Sequence, residues 1–102
     1  MVDDLYAEIV RIRPKDPAAE ARLLEIRDGM VQSYRESFPD TFISARLLKP
    51  EEGGTWVDLW FWRTKADAEA ALAQPEKTPL FVEWGQLVDM VQFEWAAVVT
   101  DH

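Results

Sequence analysis

The sequence predicts an α+β domain in which a four-stranded antiparallel sheet carries its helices on one face, and three observations lead there. Hydrophobic periodicity switches along the chain in the order strand, helix, strand, strand, helix, strand. That is the split βαββαβ order of a ferredoxin-like sandwich. The segment at 55–64, T-W-V-D-L-W-F-W-R-T, reads as a strand with large apolar side chains on both sides. Trp56, Trp60 and Trp62 fall on one face with Asp58, and Val57, Leu59 and Phe61 on the other. Finally, 102 residues at 48% hydrophobic content leave room for one core and no second, so residues 1–102 are expected to form a single domain.

Each element has its own signal. Residues 5–13 are rich in strand formers (Tyr6, Ile9, Val10, Ile12), and Pro14 follows to end the ladder. Asp16-Pro17 supplies an N-cap and a first-turn proline. The helix that starts there runs to Ser37 on a stripe of Ala19, Leu23, Ile26, Met30, Tyr34 and Ser37, with Glu20, Arg27 and Glu36 on other faces. Pro39-Asp40 marks a turn. Residues 41–48 alternate Ile43, Ala45 and Leu47 against Ser44 and Arg46 as a second strand. The loop P-E-E-G-G at 50–54 joins it to the tryptophan strand. Thr64 caps a short alanine-rich helix reaching about Ala73. Pro75 interrupts that helix, and Thr78-Pro79 opens a further stretch, striped by Leu80, Trp84, Leu87 and Val88, that ends near Met90. Residues 91–100 alternate Val91, Phe93, Trp95, Ala97 and Val99 as the last strand.

Helices on one side of the sheet cannot cover a strand that is apolar on both. The cheapest cover for the second face is the same face of another copy about a two-fold axis, so a homodimer through the sheet face is expected. Eleven basic against nineteen acidic residues give a net charge of −8, which repels phosphate backbones and anionic lipid. Nucleic acid and membrane are therefore not expected as partners. The N-terminus lacks the basic and apolar regions of a leader, no window is apolar enough to span a bilayer, and there is no cysteine. A soluble, unprocessed, cytoplasmic protein is expected.

The run W-F-W-R-T-K-A-D-A-E-A-A-L-A at 60–73, a threonine-capped helix leaving a tryptophan-bearing strand, resembles the dimeric α+β barrel superfamily and in particular its antibiotic biosynthesis monooxygenase branch. The resemblance covers nearly the whole chain in element order and residues 60–90 in motif. It implies a dimeric barrel and a small hydrophobic or aromatic ligand, oxidised without a cofactor. The branch includes oxygenases of polycyclic aromatic compounds that use neither metal nor flavin, haem-degrading enzymes, quinone-linked oxygenases and members without a known role. The haem-degrading members need a histidine ligand and a pocket asparagine. Here Glu83, Trp84 and Gly85 occupy the corresponding helix, the lone histidine is His102, and asparagine is absent, so haem degradation, His-based metal sites and Ser-His hydrolysis lose support.

Cofactor-free oxygenation requires a base, a polar group for the resulting oxyanion and a dry cavity. Trp60, Trp62, Trp84 and Trp95 are candidates to stack on a flat ligand, or else they fill the core and the dimer seam. Asp58, sharing a face with three tryptophans, is the candidate base; Arg46 and Tyr34 are candidates to orient a phenolate or carboxylate. Glu8 and Glu94 lie on strands expected to be neighbours. The plainer alternative for all three acids is a salt bridge or hydrogen bond to Arg11, Arg46 or Arg63, or simple exposure near a strand end. Glu51 and Glu52 at the hairpin tip make no metal site, and no phosphate loop is present. Two functions remain open: an oxygenase with a cavity, or a non-catalytic binding or accessory dimer with a filled core.

Overall fold

In a computed structural model, which describes residues 5–102, the chain forms four strands and three helices. The expectation about the extreme N-terminus concerns residues 1–4 and lies outside the described residues. Strand β1 (Tyr6–Pro14) leads into helix α1 (Pro17–Ser37), then β2 (Phe42–Leu48), β3 (Trp56–Trp62), α2 (Lys65–Leu72), a 3₁₀ turn (Pro75–Lys77), α3 (Pro79–Leu87) and β4 (Val88–Ala97). The sheet order is β2-β3-β1-β4 with every neighbouring pair antiparallel. Thus β1 and β2 run the same way with β3 inserted between them, the split arrangement the element order predicts.

The local signals act as read. The Asp16 carboxylate accepts the Ala19 N–H at 2.7 Å, and the Thr64 hydroxyl accepts the Asp67 N–H at 3.1 Å. The buried stripe of α1 is Ala19, Leu23, Ile26, Met30 and Tyr34. Side chains from α1, α2 and α3 all join the cluster built on Trp56, Trp60 and Trp62. The tryptophan face of β3 is therefore the helix-covered face, while Val57, Leu59 and Phe61 are half-buried on the open one.

Three expectations need correction. Helix α3 stops at Leu87, not near Met90, because Val88 turns extended and pairs with Pro14; β4 correspondingly occupies Val88–Ala97 instead of 91–100. The register of β4 slips opposite Arg11 and Ile12, leaving Val91 as an extra residue, so Val88, Met90, Phe93 and Trp95 lie opposite the inward residues Pro14, Ile12, Val10 and Glu8. A second irregularity falls between Phe42 and Ser44. It makes Ile43 the extra residue of β2 and leaves Phe42, Ala45 and Leu47 opposite the inward Trp62, Trp60 and Asp58, so Ile43 sides with Ser44 and Arg46 instead of with Ala45 and Leu47.

Candidate functional site: an aromatic cavity with two buried carboxyls

The tryptophans do not close on one another. Between sheet and helices lies a cavity of about 290 Å³, walled by Trp60 and Trp62 of β3, Tyr34 of α1, Phe81 and Trp84 of α3, and Phe93 of β4, with Val10, Ile12 and Val88 among its aliphatic lining. This volume sits at the lower edge of the roughly 300–1,000 Å³ common for ligand sites. Two acids enter the same wall, Glu8 from β1 and Asp58 from β3. They lie on adjacent strands two register steps apart, Glu8 opposite Trp60 and Asp58 opposite Val10.

The two carboxyls have opposite electrostatic surroundings. Asp58 receives a bidentate pair of hydrogen bonds from Arg27, at 2.9 and 2.8 Å. Both side chains are nearly buried, 12% exposed for Arg27 and 4% for Asp58. The Arg27 guanidinium also lies 5.2 Å from the Trp60 ring centre and 5.0 Å from that of Trp84, within cation–π range of both. Its charge is thus met by a carboxylate and two indole faces. Among the described residues Glu8 has no cationic hydrogen-bond partner: Trp62 Nε1 donates to its Oε1 at 2.7 Å, and the residue is 6% exposed. Burial pushes its carboxyl from 4.5 up to about 7; the indole bond offsets part of the rise and the nearby Asp58 adds to it.

Tyr34 stands at the aromatic centre, 4.8 Å from Trp60 and about 6 Å from Phe42, Trp62 and Phe81 by ring centres. Burial raises its phenol to about 12, with the Thr78 hydroxyl offsetting some of that shift, so it stays a neutral donor across the physiological range. Outside the cavity, Arg22 bridges α1 to Glu83 on α3 at 2.6 Å and holds that carboxylate below its usual range. Glu83, on the helix where the haem-degrading enzymes carry their histidine ligand, is therefore held in an ion pair.

Among the sequence candidates, the structure brings together Asp58, Tyr34, Trp60, Trp62 and Trp84. Arg46 is not among them: it is exposed and lines a separate hollow of about 430 Å³ with Leu59, Phe61, Asp101 and His102 on the open face. Trp95 packs on Phe93, with ring centres 5.0 Å apart, and does not line the cavity. Glu94 is exposed and pairs in register with Ile9, on the opposite side from Glu8. The partner of Asp58 is Arg27, which lies off the buried stripe of α1, and none of Arg11, Arg46 and Arg63. The usable signal was Asp58 itself, since a carboxylate among three tryptophans demands a cation, and Arg27 sits beside the stripe positions Leu23, Ile26 and Met30. Among the described residues, no cluster of three or more His, Asp or Glu is placed to hold a metal ion, and no helix is long and apolar enough to cross a membrane.

No family model and no curated protein matches the chain by sequence. Solved structures match its fold over almost its whole length. SnoaB, a cofactor-independent oxygenase from Streptomyces nogalater, is 17% identical, with 97% of this chain and 95% of that one covered at a TM-score of 0.71. A dimeric ferredoxin-like protein from an uncultured marine organism is 11% identical, with 97% and 99% covered at 0.73. A monooxygenase from the ActVA-Orf6 gene of Streptomyces coelicolor, solved with the ligand Nanaomycin D, is 18% identical, with 99% and 89% covered at 0.60. The chain has the ferredoxin-like α+β fold these proteins share.

Proposed function

We propose that the chain is a monooxygenase of the antibiotic biosynthesis type, a homodimer whose subunits each oxidise a small hydrophobic or aromatic compound in the aromatic cavity without a cofactor. The observation that carries this reading is the cavity itself: about 290 Å³ between aromatic walls, with a buried carboxyl in its lining that no cation among the described residues pairs with. Its shape and chemistry suit a flat ligand stacked among Trp60, Trp62 and Trp84, with Tyr34 to donate a hydrogen bond. The fold it shares with a cofactor-independent oxygenase and with a monooxygenase solved around a ligand supports the same reading. The open sheet face, with Val57, Leu59 and Phe61 half-buried, is the proposed dimer interface, and Arg46 lines the hollow on that face.

The reaction converts an activated ring methylene and dioxygen to a ketone and water. One oxygen atom enters the carbonyl; the other leaves as water with both methylene hydrogens, so carbon loses four electrons and dioxygen gains four. Oxygen uptake measured against a panel of anthrones and quinols tests it, and a panel without uptake above the buffer rate overturns it. A cavity at the small end of the ligand range also favours a second reading, a binding protein without catalysis. That reading predicts quenching of tryptophan fluorescence by the same compounds with no oxygen consumed.

A further inference from the structure

The wall of the cavity holds two carboxyls, and only one of them is free to act. Both oxygens of Asp58 accept from Arg27. A proton placed there would break a bidentate ion pair and leave a guanidinium buried without its counter-charge. Glu8 differs in each respect. Trp62 fixes one oxygen, Oε1, by an indole N–H bond at 2.7 Å, and Oε2 has no hydrogen-bond partner among the described residues. The backbone beneath it is held on both sides, because β1 is paired on one side with β3 and on the other with β4. The group is thus held in one orientation by a central strand and an indole, with an acceptor lone pair left for a ligand.

Resting on the oxygenase reading, we propose that Glu8 is the catalytic base: Oε2 takes a proton from an enolisable methylene or phenol of a flat, uncharged aromatic ketone stacked on Trp60. The C–H or O–H bond breaks, its proton forms an O–H bond to Oε2, and the electron pair passes into the ligand's conjugated enolate or phenolate, which dioxygen then meets. Removing that charge from water is made tolerable by placing the anion among aromatic edges and the neutral Tyr34 hydroxyl. The cavity selects against a ligand that is already anionic, since two acids line it and the Arg27 guanidinium is taken up by its hydrogen bonds to Asp58. The titratable groups that face Glu8 are Asp58 on β3 and Tyr34 on α1. Helices α2 and α3 present Ala71, Phe81 and Trp84, and β4 presents Phe93 and Met90. A base whose carboxyl titrates at about 7 is half ionised at neutral pH, which matches it to abstracting a weakly acidic proton.

Anaerobic exchange tests this separately from oxygenation. Anthrone in deuterated buffer is followed by proton NMR for loss of its methylene signal, with the wild-type protein and with Glu8→Gln and Glu8→Asp. Near-ultraviolet circular dichroism confirms folding, and fluorescence quenching measures anthrone binding. The wild type should accelerate exchange over buffer, rising with pH to a plateau above about 7. Glu8→Gln should bind anthrone yet lose about 10²- to 10⁴-fold of the acceleration, and Glu8→Asp should retain part of it. Wild-type protein that fails to accelerate exchange, or Glu8→Gln exchanging at the wild-type rate, overturns the assignment. Exchange without oxygen uptake removes the oxygenase reading and leaves Glu8 as a base; uptake that persists in Glu8→Gln does the reverse.

Discussion

Glu8 makes the protein's stability depend on pH in a direction opposite to that of most carboxylates. Its folded value of about 7 lies above the ordinary 4.5, so between those limits the folded chain keeps a proton that the unfolded chain has released. The stabilisation is fully present below about pH 4.5 and is lost as pH rises through about 7, amounting to on the order of 3 kcal/mol across the window. Urea titrations of wild type and Glu8→Gln at several pH values should show it as a difference: wild type declines relative to the variant from pH 4.5 to 7 and runs parallel above. Parallel curves throughout would place Glu8 in water. Trp62 acts in the other sense, since its N–H bond favours the ionised form. Trp62→Phe should therefore move the Glu8 midpoint further up, read directly by carboxyl-carbon NMR. The pair formed by Arg27 and Asp58 makes a third case. Arg27→Met strands a carboxylate that is 4% exposed, and should cost about 3–5 kcal/mol, whereas the double change Arg27→Met with Asp58→Leu should recover much of that loss. A single variant within about 0.5 kcal/mol of wild type would show that the pair is solvated.

At the level of elements, α1 and α3 meet at a glycine. A Cβ built on Gly29 would stand 3.0 Å from Cδ1 of Leu80, a contact that the far end of a flexible side chain can relieve by a small shift. Alanine in place of a helical glycine contributes about 1 kcal/mol when nothing opposes it. Gly29→Ala should accordingly give less than that in wild type and the full increment in a Leu80→Ala background. Equal gains in thermal unfolding experiments would mean the helices do not touch there. Caps, stripe and strand order were legible because each rests on a local rule: Asp16 and Thr64 cap as their side chains dictate, and the α1 stripe needs only a period of 3.6. What stayed illegible depends on partners distant in sequence. Strict alternation in β2 and β4 is broken by extra residues at Ile43 and Val91, neither of which is a glycine or otherwise announces a bulge. Each slip inverts the face assigned to the residues on one side of it. Arg27 lies off the buried stripe as its spacing predicts, but its pairing with Asp58 was illegible, since a local period says nothing of a counter-charge on another element. The chemistry of the site was only half visible: the acid-bearing tryptophan face could be read from β3, but which acid remained unpaired was decided by an arginine 31 residues earlier.

For the molecule as a whole, the sheet sets two surfaces with different duties. One is spent on the cavity and the helices. On the other, Ile9 of β1 lies opposite Leu59 of β3, and Leu59 and Phe61 are half-buried with no helix over them. Covering these side chains with a second copy removes apolar area from water at about 25 cal/mol per Å². Electrostatics oppose the association, because two chains of net charge −8 repel until salt screens them over about 8–10 Å. The dimer should therefore tighten with salt, unlike an assembly held by ion pairs. Sedimentation equilibrium at micromolar concentration should give about twice the 11.8 kDa chain mass, with a dissociation constant that falls between about 0.01 and 0.15 M ionic strength. Leu59→Glu places a charge on the open face without touching the helix-covered one. It should sediment as a folded monomer while leaving the Glu8 proton-exchange reaction within about twofold of wild type, a difference of about 0.4 kcal/mol. A wild-type monomer at micromolar concentration removes the facing-sheet dimer. A Leu59→Glu monomer that has lost exchange would instead show that the cavity needs the second subunit to hold its walls in place.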